Sequence, residues 1–426
     1  MRGFVVAIVL AGVRPEQPET EVSIAVTTLT NYGRVVRSPR YFPIWLGQLV
    51  SNLGDTVNYI ALVITVYKLT GSGLALSTLV IFQIVPVLIA GPVAGPIIDR
   101  YPRKSILIAA DLVRAVMVVG LLFAAAVWQV YALAFCMALA SVFFAPAFTA
   151  SLPSLVETED VLVANAVAWS TAQFVQIIGS AMAGGMIAIF GTRAAFGFNA
   201  ASFVVSALSI SLVTFPAMDR LGTGGYMKSL KEGLRFAFRD PFVFRMFWIQ
   251  MLTSLSVGGT SALLVVLAER RYHLPPAGFA SFLFAIGLGA LLGPLLLGSL
   301  TRNYRNTKLL FFPYLIRGMG DVLLGVFSVP LLGQVLLFVY GLNTSGGMAT
   351  YQSTMQSQVP DGMRGRVFTL MDVGWSTARL VSVALAGVLA DHFGITVVYY
   401  VGGALLIVAG ILGLTTVRLT VQETVR

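Results

Sequence analysis

The sequence predicts an all-α integral membrane protein, with twelve transmembrane helices in two pseudo-symmetric halves of six. The first observation is composition: of 426 residues, 57% are hydrophobic and only 11% charged, whereas soluble domains have about 25% charged residues. The second is that apolar runs long enough to cross a bilayer follow one another along nearly the whole chain. The third is a residue pattern that occurs once in each half.

The same composition argues against several other classes of protein. Cys136 is the only cysteine, so neither an internal disulfide nor a cysteine-rich metal site is expected. The net charge of +10 resides in short loops between apolar runs, which favours membrane topology over nucleic-acid binding. The sequence lacks a phosphate-binding loop of the Gly-Lys-Ser/Thr type. We therefore expect no enzyme activity, no cofactor and no metal site.

The predicted elements follow in order from the apolar runs. Residues 1–40 are expected to form a cytoplasmic extension, because the apolar stretch Phe4–Val13 is too short to span a bilayer. In the polar linker, residues 217–241, Leu230, Leu234 and Phe238 recur at helical spacing, which predicts an amphipathic helix on the membrane surface. The first half comprises residues 41–216, the second half 242–418, and the cytoplasmic tail 419–426. The runs cover residues 42–67, 74–98, 104–126, 128–152, 161–190, 194–216, 242–268, 277–300, 307–329, 331–357, 364–390 and 395–417.

The distribution of lysine and arginine predicts the orientation of these helices. With the N-terminus inside, the inside loops are rich in cations, whereas the outside loops hold only Lys68, Arg193, Arg270 and Arg271. Because positively charged loops stay on the cytoplasmic side, both termini are expected in the cytoplasm. We expect a monomeric multi-pass protein of the inner or plasma membrane, embedded in the lipid bilayer.

An internal repeat indicates a transporter. The segment Trp169–Gln173 has the sequence Trp-Ser-Thr-Ala-Gln, and Trp375–Arg379 has the sequence Trp-Ser-Thr-Ala-Arg, at the same ordinal helix of each half. Parallel repeats of six helices are a known transporter plan, with the substrate site at the repeat interface near mid-membrane. We therefore expect a small-molecule substrate and an ion gradient, most simply of protons, as the energy source.

The loop predicted between the second and third helices carries a dense charge cluster. Its ionised residues are Asp99, Arg100, Arg103 and Lys104. A solvated cytoplasmic loop explains the cations, whereas a gate between the two halves explains the carboxylate as well. Just before the loop, Gly91 and Gly95 lie four residues apart, a spacing that lets helices approach closely.

Ionisable residues within the apolar runs are functional candidates, because charge at this depth is costly. Asp55, near the middle of the first run, is a candidate proton carrier, or else a structural aspartate hydrogen-bonded near Asn52 and Asn58. Asp372 and Arg379 share one face of the eleventh run at i and i+7. Arg379 is therefore expected to pair with Asp372 or Asp55, or to attract an anionic substrate, and Asp372 is a second proton-coupling candidate.

Two further charged pairs are expected to be structural. Arg317 and Asp321 lie at i and i+4 on the ninth run, a spacing that permits an ion pair within the helix. Asp111 and Arg114 lie on the third run nearer its cytoplasmic end, where a long side chain can reach water.

At Gly95-x-x-x-Asp99-Arg100-x-x-Arg103-Lys104 the chain resembles the major facilitator superfamily, over about residues 38–420. Further motifs are similar to its drug:proton antiporter branch, which contains macrolide efflux proteins and the enterobactin exporter. These motifs are Gly47-Gln48 to Gly54-Asp55, Phe144-Ala-Pro146 to Leu152-Pro153, and Val359-Pro-Asp-Gly-Met-Arg-Gly-Arg-Val367.

The resemblance implies roles for several residues. It implies that Asp99 docks on the N-terminus of the eleventh helix in the outward-open state, with Arg103 able to pair with an acid of the Glu157–Asp160 loop. It also implies that helices one, four, seven and ten line the cavity. The candidate polar contacts on those helices are Asn52, Gln250, Asn343 and Gln352. The family often has an arginine on helix four, but Phe148 and apolar neighbours occupy that stretch here.

Three functions are compatible with these features. The first is proton-coupled export of hydrophobic or amphiphilic compounds such as drugs. The second is a dedicated exporter of a siderophore or anionic metabolite, which Arg379 favours. The third, of another class, is a membrane receptor or scaffold that does not transport, against which the presence of Asp55 and Asp99 argues.

Overall fold

The computed structural model describes residues 33–98, 100–157, 160–215, 235–275, 278–298 and 307–417, and no strand occurs among them. The helices are α1 (Tyr41–Thr70), α2 (Gly73–Ile98), α3 (Arg103–Leu121), α4 (Val127–Ser151), α5 (Val161–Ser211), α6 (Pro241–Ala262), α7 (Leu264–Arg270), α8 (Phe279–Gly298), α9 (Thr307–Val326), α10 (Pro330–Gln358), α11 (Asp361–Phe393) and α12 (Ile395–Thr416). Pro241 and Pro330 are the first residues of α6 and α10, where the missing N–H costs no hydrogen bond.

The structure refines the predicted boundaries at three places. The predicted runs 161–190 and 194–216 follow each other directly in α5, which is broken between them at Gly191, with φ 77° and ψ 175°. A glycine adopts this backbone without strain, so the chain reverses there without an intervening loop. Conversely, the predicted single run 242–268 is divided at Leu263 into α6 and α7, which meet at a bend of 49°. The predicted third run, 104–126, ends earlier, at Leu121.

Some predictions lie outside the described residues. The N-terminal extension is described only from residue 33 and the linker only from residue 235, so its predicted amphipathic helix lies mostly outside. Asp99 also lies outside, as do residues 299–306, the second-half counterpart of its loop, and the tail from residue 418.

The described helices are consistent with a membrane protein. Six of them are long and apolar enough to cross a membrane, or seven when the bent pair α6 and α7 counts as one span. With α5 divided at Gly191 and that pair joined, the succession of helices fits the predicted plan of twelve segments. We call the end of the bundle at which α1 and α11 finish the far end, and the opposite end the near end.

Both halves use the same helix pairings, as expected for a repeat. In the first half α2 packs on α4, and in the second α8 packs on α10. Likewise α3 packs on α5, and α9 packs on α12. Two extensive pairings join the halves, α2 with α11 and α5 with α8, and α2 also makes a smaller contact with α6.

In the part of the chain that the structure describes, the buried clusters that join the two halves lie toward the far end. One large buried cluster there includes Tyr67 of α1, Ile187 of α5, Phe282 of α8 and Ala390 of α11. At the near end, each buried cluster belongs to one half: Leu107 packs with Phe144 and Ile210, and Phe311 packs with Met355 and Val367. Among the described residues, the bundle is therefore closed at the far end, and the halves have separate cores at the near end.

Candidate functional site

A buried arginine serves two carboxylates in the first half. Arg114 of α3 donates a short hydrogen bond to Asp111, one turn away on the same helix. A terminal nitrogen of the same guanidinium lies 3.8 Å from the carboxylate of Asp55 on α1. The side chains of Asp111 and Arg114 are 0% and 6% exposed, whereas that of Asp55 is 43% exposed. Asp55 is thus the accessible member of the group.

Two aromatic rings hold this guanidinium in place. Its central carbon lies 4.4 Å from the ring centre of Phe144 on α4 and 4.3 Å from that of Phe203 on α5. An arginine between two ring faces gains cation–π stabilisation in a site with little water. The arginine expected on helix four is absent, and α3 supplies one against the ring of Phe144 instead.

Small residues let α1 approach α5 beside Asp55. A Cβ added to Gly54 would lie 2.2 Å from Oγ of Ser202 and 2.4 Å from Oδ1 of Asn199. A Cβ added to Gly47, two turns earlier, would lie 2.8 Å from Cβ of Ser209. The predicted glycine motif on the first helix therefore serves close packing, which places Asp55 within reach of Arg114.

Gly54→Ala is expected to destabilise the protein, because the added methyl group overlaps two side chains of α5. Overpacking of this kind costs about 1–3 kcal/mol. Thermal unfolding of the purified protein measures the loss. Gly185→Ala on α5 is the matched control, because a Cβ there meets nothing within 4 Å. Equal unfolding temperatures for the two variants would contradict the close packing at Gly54.

Two cavities of the first half open onto the Asp55 carboxylate. One, of about 670 Å³, is lined by Asp55, Tyr59, Gln83, Gly91 and Arg114, with residues of α4 opposite. The other, of about 360 Å³, is lined by Trp45, Asn52 and Asp55 among others. Volumes of this size are typical of ligand sites. Gly91 does not mediate the predicted close approach here, since a Cβ there would meet nothing within 4 Å.

A third cavity, of about 320 Å³, lies in the second half. Its aromatic lining is Tyr314, Tyr351 and Trp375, and its polar lining includes Gln250, Asn343 and Asp372. Gln250 and Asn343, two predicted substrate contacts, therefore line this cavity, and Asn343 donates to the carbonyl oxygen of Pro313. Gln352, a third, is exposed on α10 and lines none of the described cavities.

The charged residues of α11 are not paired as expected. Asp372 and Arg379 are both exposed, and within the described residues neither forms an ion pair. Two turns of helix separate them, which is too far for direct contact along one face. Asp372 lines the second-half cavity, whereas Arg379 lies outside its lining.

The predicted pair on α9 is also absent. Arg317 and Asp321 form no ion pair in the described part of the chain; the guanidinium of Arg317 instead lies 4.0 Å from the ring centre of Tyr340. Asp321 is buried, and its Oδ2 has no hydrogen-bond partner among the described residues.

The near-end charge cluster is partly described. Gly95 lies in α2, Arg100 is exposed, and Arg103 begins α3. Lys104 donates to the carbonyl oxygens of Ser211 and Val213, at 2.7 and 2.9 Å, which satisfies acceptors at the end of α5.

The acidic near-end loop is tied to the start of the described chain. Asp160, one of the three acids of this loop with which Arg103 could pair, forms an ion pair with Arg34.

At the far end, a second-half carboxylate contacts the first half. Asp391 of α11 accepts hydrogen bonds from the backbone N–H groups of Gly73 and Leu74, at 2.9 and 3.0 Å, and from the hydroxyl of Ser72 at 2.6 Å. Arg270 of α7 lies 3.6 Å from the same carboxylate. Asp391 is not among the residues predicted to be functional; its signal in the sequence is an acid at the end of an apolar run.

Solved structures share this fold. A bacterial homologue of the iron transporter ferroportin, in its inward-facing state, superposes with a TM-score of 0.71 at 16% identity, covering 88% of this chain and 97% of the other. A D-xylose-proton symporter gives a TM-score of 0.70 at 15% identity, covering 90% and 100%. At these identities the likeness concerns the fold alone.

Sequence relatives and a family model identify the family. The MFS-type transporter YfiS of Bacillus subtilis is 29% identical over 388 residues, 86% of this chain and 90% of the relative. Macrolide efflux protein A of Streptococcus pyogenes is 22% identical over 86% of this chain and 93% of its own length. The enterobactin exporter EntS of Escherichia coli is 27% identical over 69% and 72%. The model of the Major Facilitator Superfamily matches residues 44–382 and 277–426, and the chain therefore belongs to this superfamily of membrane transporters.

Proposed function

We propose that this protein is a secondary active transporter that exports hydrophobic or amphiphilic compounds in exchange for protons. The observation that carries the proposal is the arrangement of two carboxylates around one buried guanidinium, with only Asp55 open to a cavity. The export function named for two relatives, a macrolide efflux protein and an enterobactin exporter, supports the outward direction.

The charge balance at Arg114 favours Asp55 as the proton carrier. One guanidinium balances one carboxylate, and Asp111 makes the closer contact with it. If Asp111 gained and lost the proton instead, the buried guanidinium of Arg114 would repeatedly lose its closest counter-charge. Asp55 gains or loses its proton at the cavity surface, while the pair Asp111–Arg114 stays intact. An ionisable residue at membrane depth facing a cavity is the expected location for proton coupling. We therefore retain Asp372, exposed in the other cavity, as a second candidate only.

The second-half cavity suits an amphiphilic substrate. Its tyrosine, tryptophan and methionine side chains offer apolar contact, while Gln250 and Asn343 offer few but fixed polar groups. Such a lining binds compounds that are largely apolar with a polar group. The two halves, residues 41–216 and 242–418, would rock about this region in alternating access.

We assign the conformation to the inward-facing state, with the near end and both termini in the cytoplasm of the cell that carries the protein in its inner or plasma membrane. The shared far-end core and the separate near-end cores support this assignment. In the outward-facing state, Asp99 would close the near end by docking on the N-terminus of α11, which favours a carboxylate there. A monomer suffices for this cycle, since each cavity lies within one chain.

Transport by purified protein in liposomes tests the proposal. A lipophilic dye that accumulates against its gradient when a pH gradient is imposed, and stops when an ionophore collapses that gradient, is the expected result. Accumulation that ignores the pH gradient would exclude proton coupling, and no movement of any amphiphile tested would favour a scaffold.

A dedicated exporter of an anionic metabolite is the second candidate, because Arg379 presents an exposed guanidinium that has no ion pair among the described residues. For that function, Arg379→Ala is expected to weaken anion binding by about tenfold or more, because one charge-assisted contact is lost. Arg379→Lys keeps the positive charge and is expected to retain part of the anion affinity. Competition between an anionic and a neutral amphiphile of similar size measures this. Equal effects on both amphiphiles would exclude an anion-recognition role for Arg379.

A further inference from the structure

Two charged residues of the second half satisfy both helix ends at one turn of the first half. The turn Gly71–Ser72 joins the end of α1 to the start of α2 at the far end. Asp391 takes the free N–H groups of Gly73 and Leu74 at the start of α2. Arg270 donates to the carbonyl oxygen of Gly71, just past the end of α1, and to the hydroxyl of Tyr67. An anion thus meets a helix N-terminus, and a cation meets a helix C-terminus.

The position of Asp391 makes this contact specific to the closed far end. Asp391 lies in the last turn of its own helix, α11, where unsatisfied carbonyl groups disfavour a carboxylate. Its hydrogen-bond donors all come from the other half: two backbone N–H groups and the hydroxyl of Ser72. When the halves separate at the far end, the carboxylate loses these donors and remains beside the negative end of its own helix. The contact therefore stabilises one conformation and not the other, which is what shifts a two-state equilibrium.

Close packing of the two helices fixes this geometry. A Cβ added to Gly387, one turn before Asp391, would lie 2.5 Å from Oγ and 2.8 Å from Cβ of Ser77 on α2. The glycine lets α11 lie against α2, which brings the carboxylate to hydrogen-bonding distance. The side chains of Asp391 and Arg270 are 27% and 35% exposed, so water screens the contact only in part.

We propose that Asp391 and Arg270 are positioning residues that hold the far end closed and set the ratio of inward-facing to outward-facing protein. The proposal rests on the alternating-access part of the proposed function, and it needs neither protons nor a known substrate. Asp391→Ala is expected to raise the ratio of far-end-open to far-end-closed protein by about tenfold. Ser72→Ala, which removes one of the three donors, is expected to have a smaller effect, and Arg270→Gln an effect in the same direction as Asp391→Ala.

Spin-label distances across the far end measure this ratio. Labels on Ala125→Cys and Ser328→Cys, exposed positions after α3 and α9 in opposite halves, report on far-end separation once the exposed Cys136 is replaced by serine. The control is Asp240→Ala: Asp240 also accepts from a helix N-terminus, through the N–H of Val243 at 2.8 Å, but within its own half. Both substitutions remove a capping carboxylate, and only one removes a contact between halves.

The expected result is a longer-distance population that grows in Asp391→Ala and in Arg270→Gln, and is unchanged in Asp240→Ala. If Asp391→Ala does not fold, Arg270→Gln tests the same contact from its other side. Unchanged distances in Asp391→Ala and Arg270→Gln, or an equal change in Asp240→Ala, would overturn the proposal. Because the measurement needs no substrate, a protein that shows the expected shift yet exports nothing would refute the proposed export and leave this inference standing.

Discussion

Asp55→Asn is expected to abolish export driven by a pH gradient while preserving movement of substrate down its own gradient. Asparagine keeps the size of the side chain and its polar contacts in the cavity, but it cannot carry a proton. A gradient of one pH unit drives an accumulation of about tenfold when one proton exchanges for one neutral substrate molecule. The variant is expected to show no accumulation at all under the same gradient.

Liposomes that contain the purified protein and a trapped substrate provide the measurement. Asp55→Glu is the control, because it retains a carboxylate beside Arg114 and is expected to keep part of the accumulation. A variant Asp55→Asn that still accumulates substrate like the unaltered protein would assign the proton to another group, of which Asp372 is the first to examine.

Arg114→Leu is expected to be the most destabilising single substitution in the first half. It removes the guanidinium from Asp111, whose side chain is fully buried, and leaves a carboxylate without its balancing charge. Removing one partner of a buried pair costs about 3–5 kcal/mol. The loss also includes the contacts of the guanidinium with the rings of Phe144 and Phe203.

A second substitution separates charge balance from packing. In Arg114→Leu/Asp111→Leu no buried charge is left unbalanced, so much of the lost stability is expected to return. Unfolding of each purified variant by denaturant measures the free energies in one cycle. A double variant as unstable as the single one would show that Arg114 stabilises the protein by packing alone. The charge of Arg114 would then give no support to the proposed role of Asp55.

Hydrophobicity alone predicted most of the fold. An apolar run that must span a bilayer has few alternatives to a helix, so the ranges of α2, α8, α9 and α12 lie close to those predicted. The break at Leu263 was not predicted, because no proline lies inside that run to mark a kink. The predicted separation of the fifth and sixth runs agrees with the break at Gly191, but a glycine followed by polar residues predicts a short loop as readily as the sharp kink that is found.

The sequence indicated residues that line the candidate site, but it indicated less well which of them contact each other. Asp55 was one of two carboxylates considered as partners of Arg379, whereas it lies beside Arg114, 59 positions along the chain on another helix. Periodicity places two residues on a helix face and says little about which helix packs against that face. The same limit applies to Asp391, whose partners Gly73 and Leu74 are more than 300 positions away in sequence. The sequence shows only a carboxylate at the end of an apolar run, and its role can be predicted only when the helix that packs beside it is known.

The closed far end and the near-end charge cluster complement each other in the proposed cycle. Asp391 satisfies the start of α2 in the conformation described, and Asp99, the residue after Ile98 in the sequence, is proposed to satisfy the start of α11 in the opposite one. Each conformation would then have one helix N-terminus occupied by a carboxylate from the other half.

The most direct test of coupled export is the movement of protons when substrate is added. A pH-sensitive dye sealed inside liposomes with the purified protein reports proton flux in the absence of any imposed pH gradient. Adding an amphiphilic substrate to one side is expected to drive protons toward that side in the unaltered protein, and to drive none in Asp55→Asn. Substrate movement without any accompanying proton flux in the unaltered protein, or equal proton flux in the variant, would contradict proton-coupled export through Asp55.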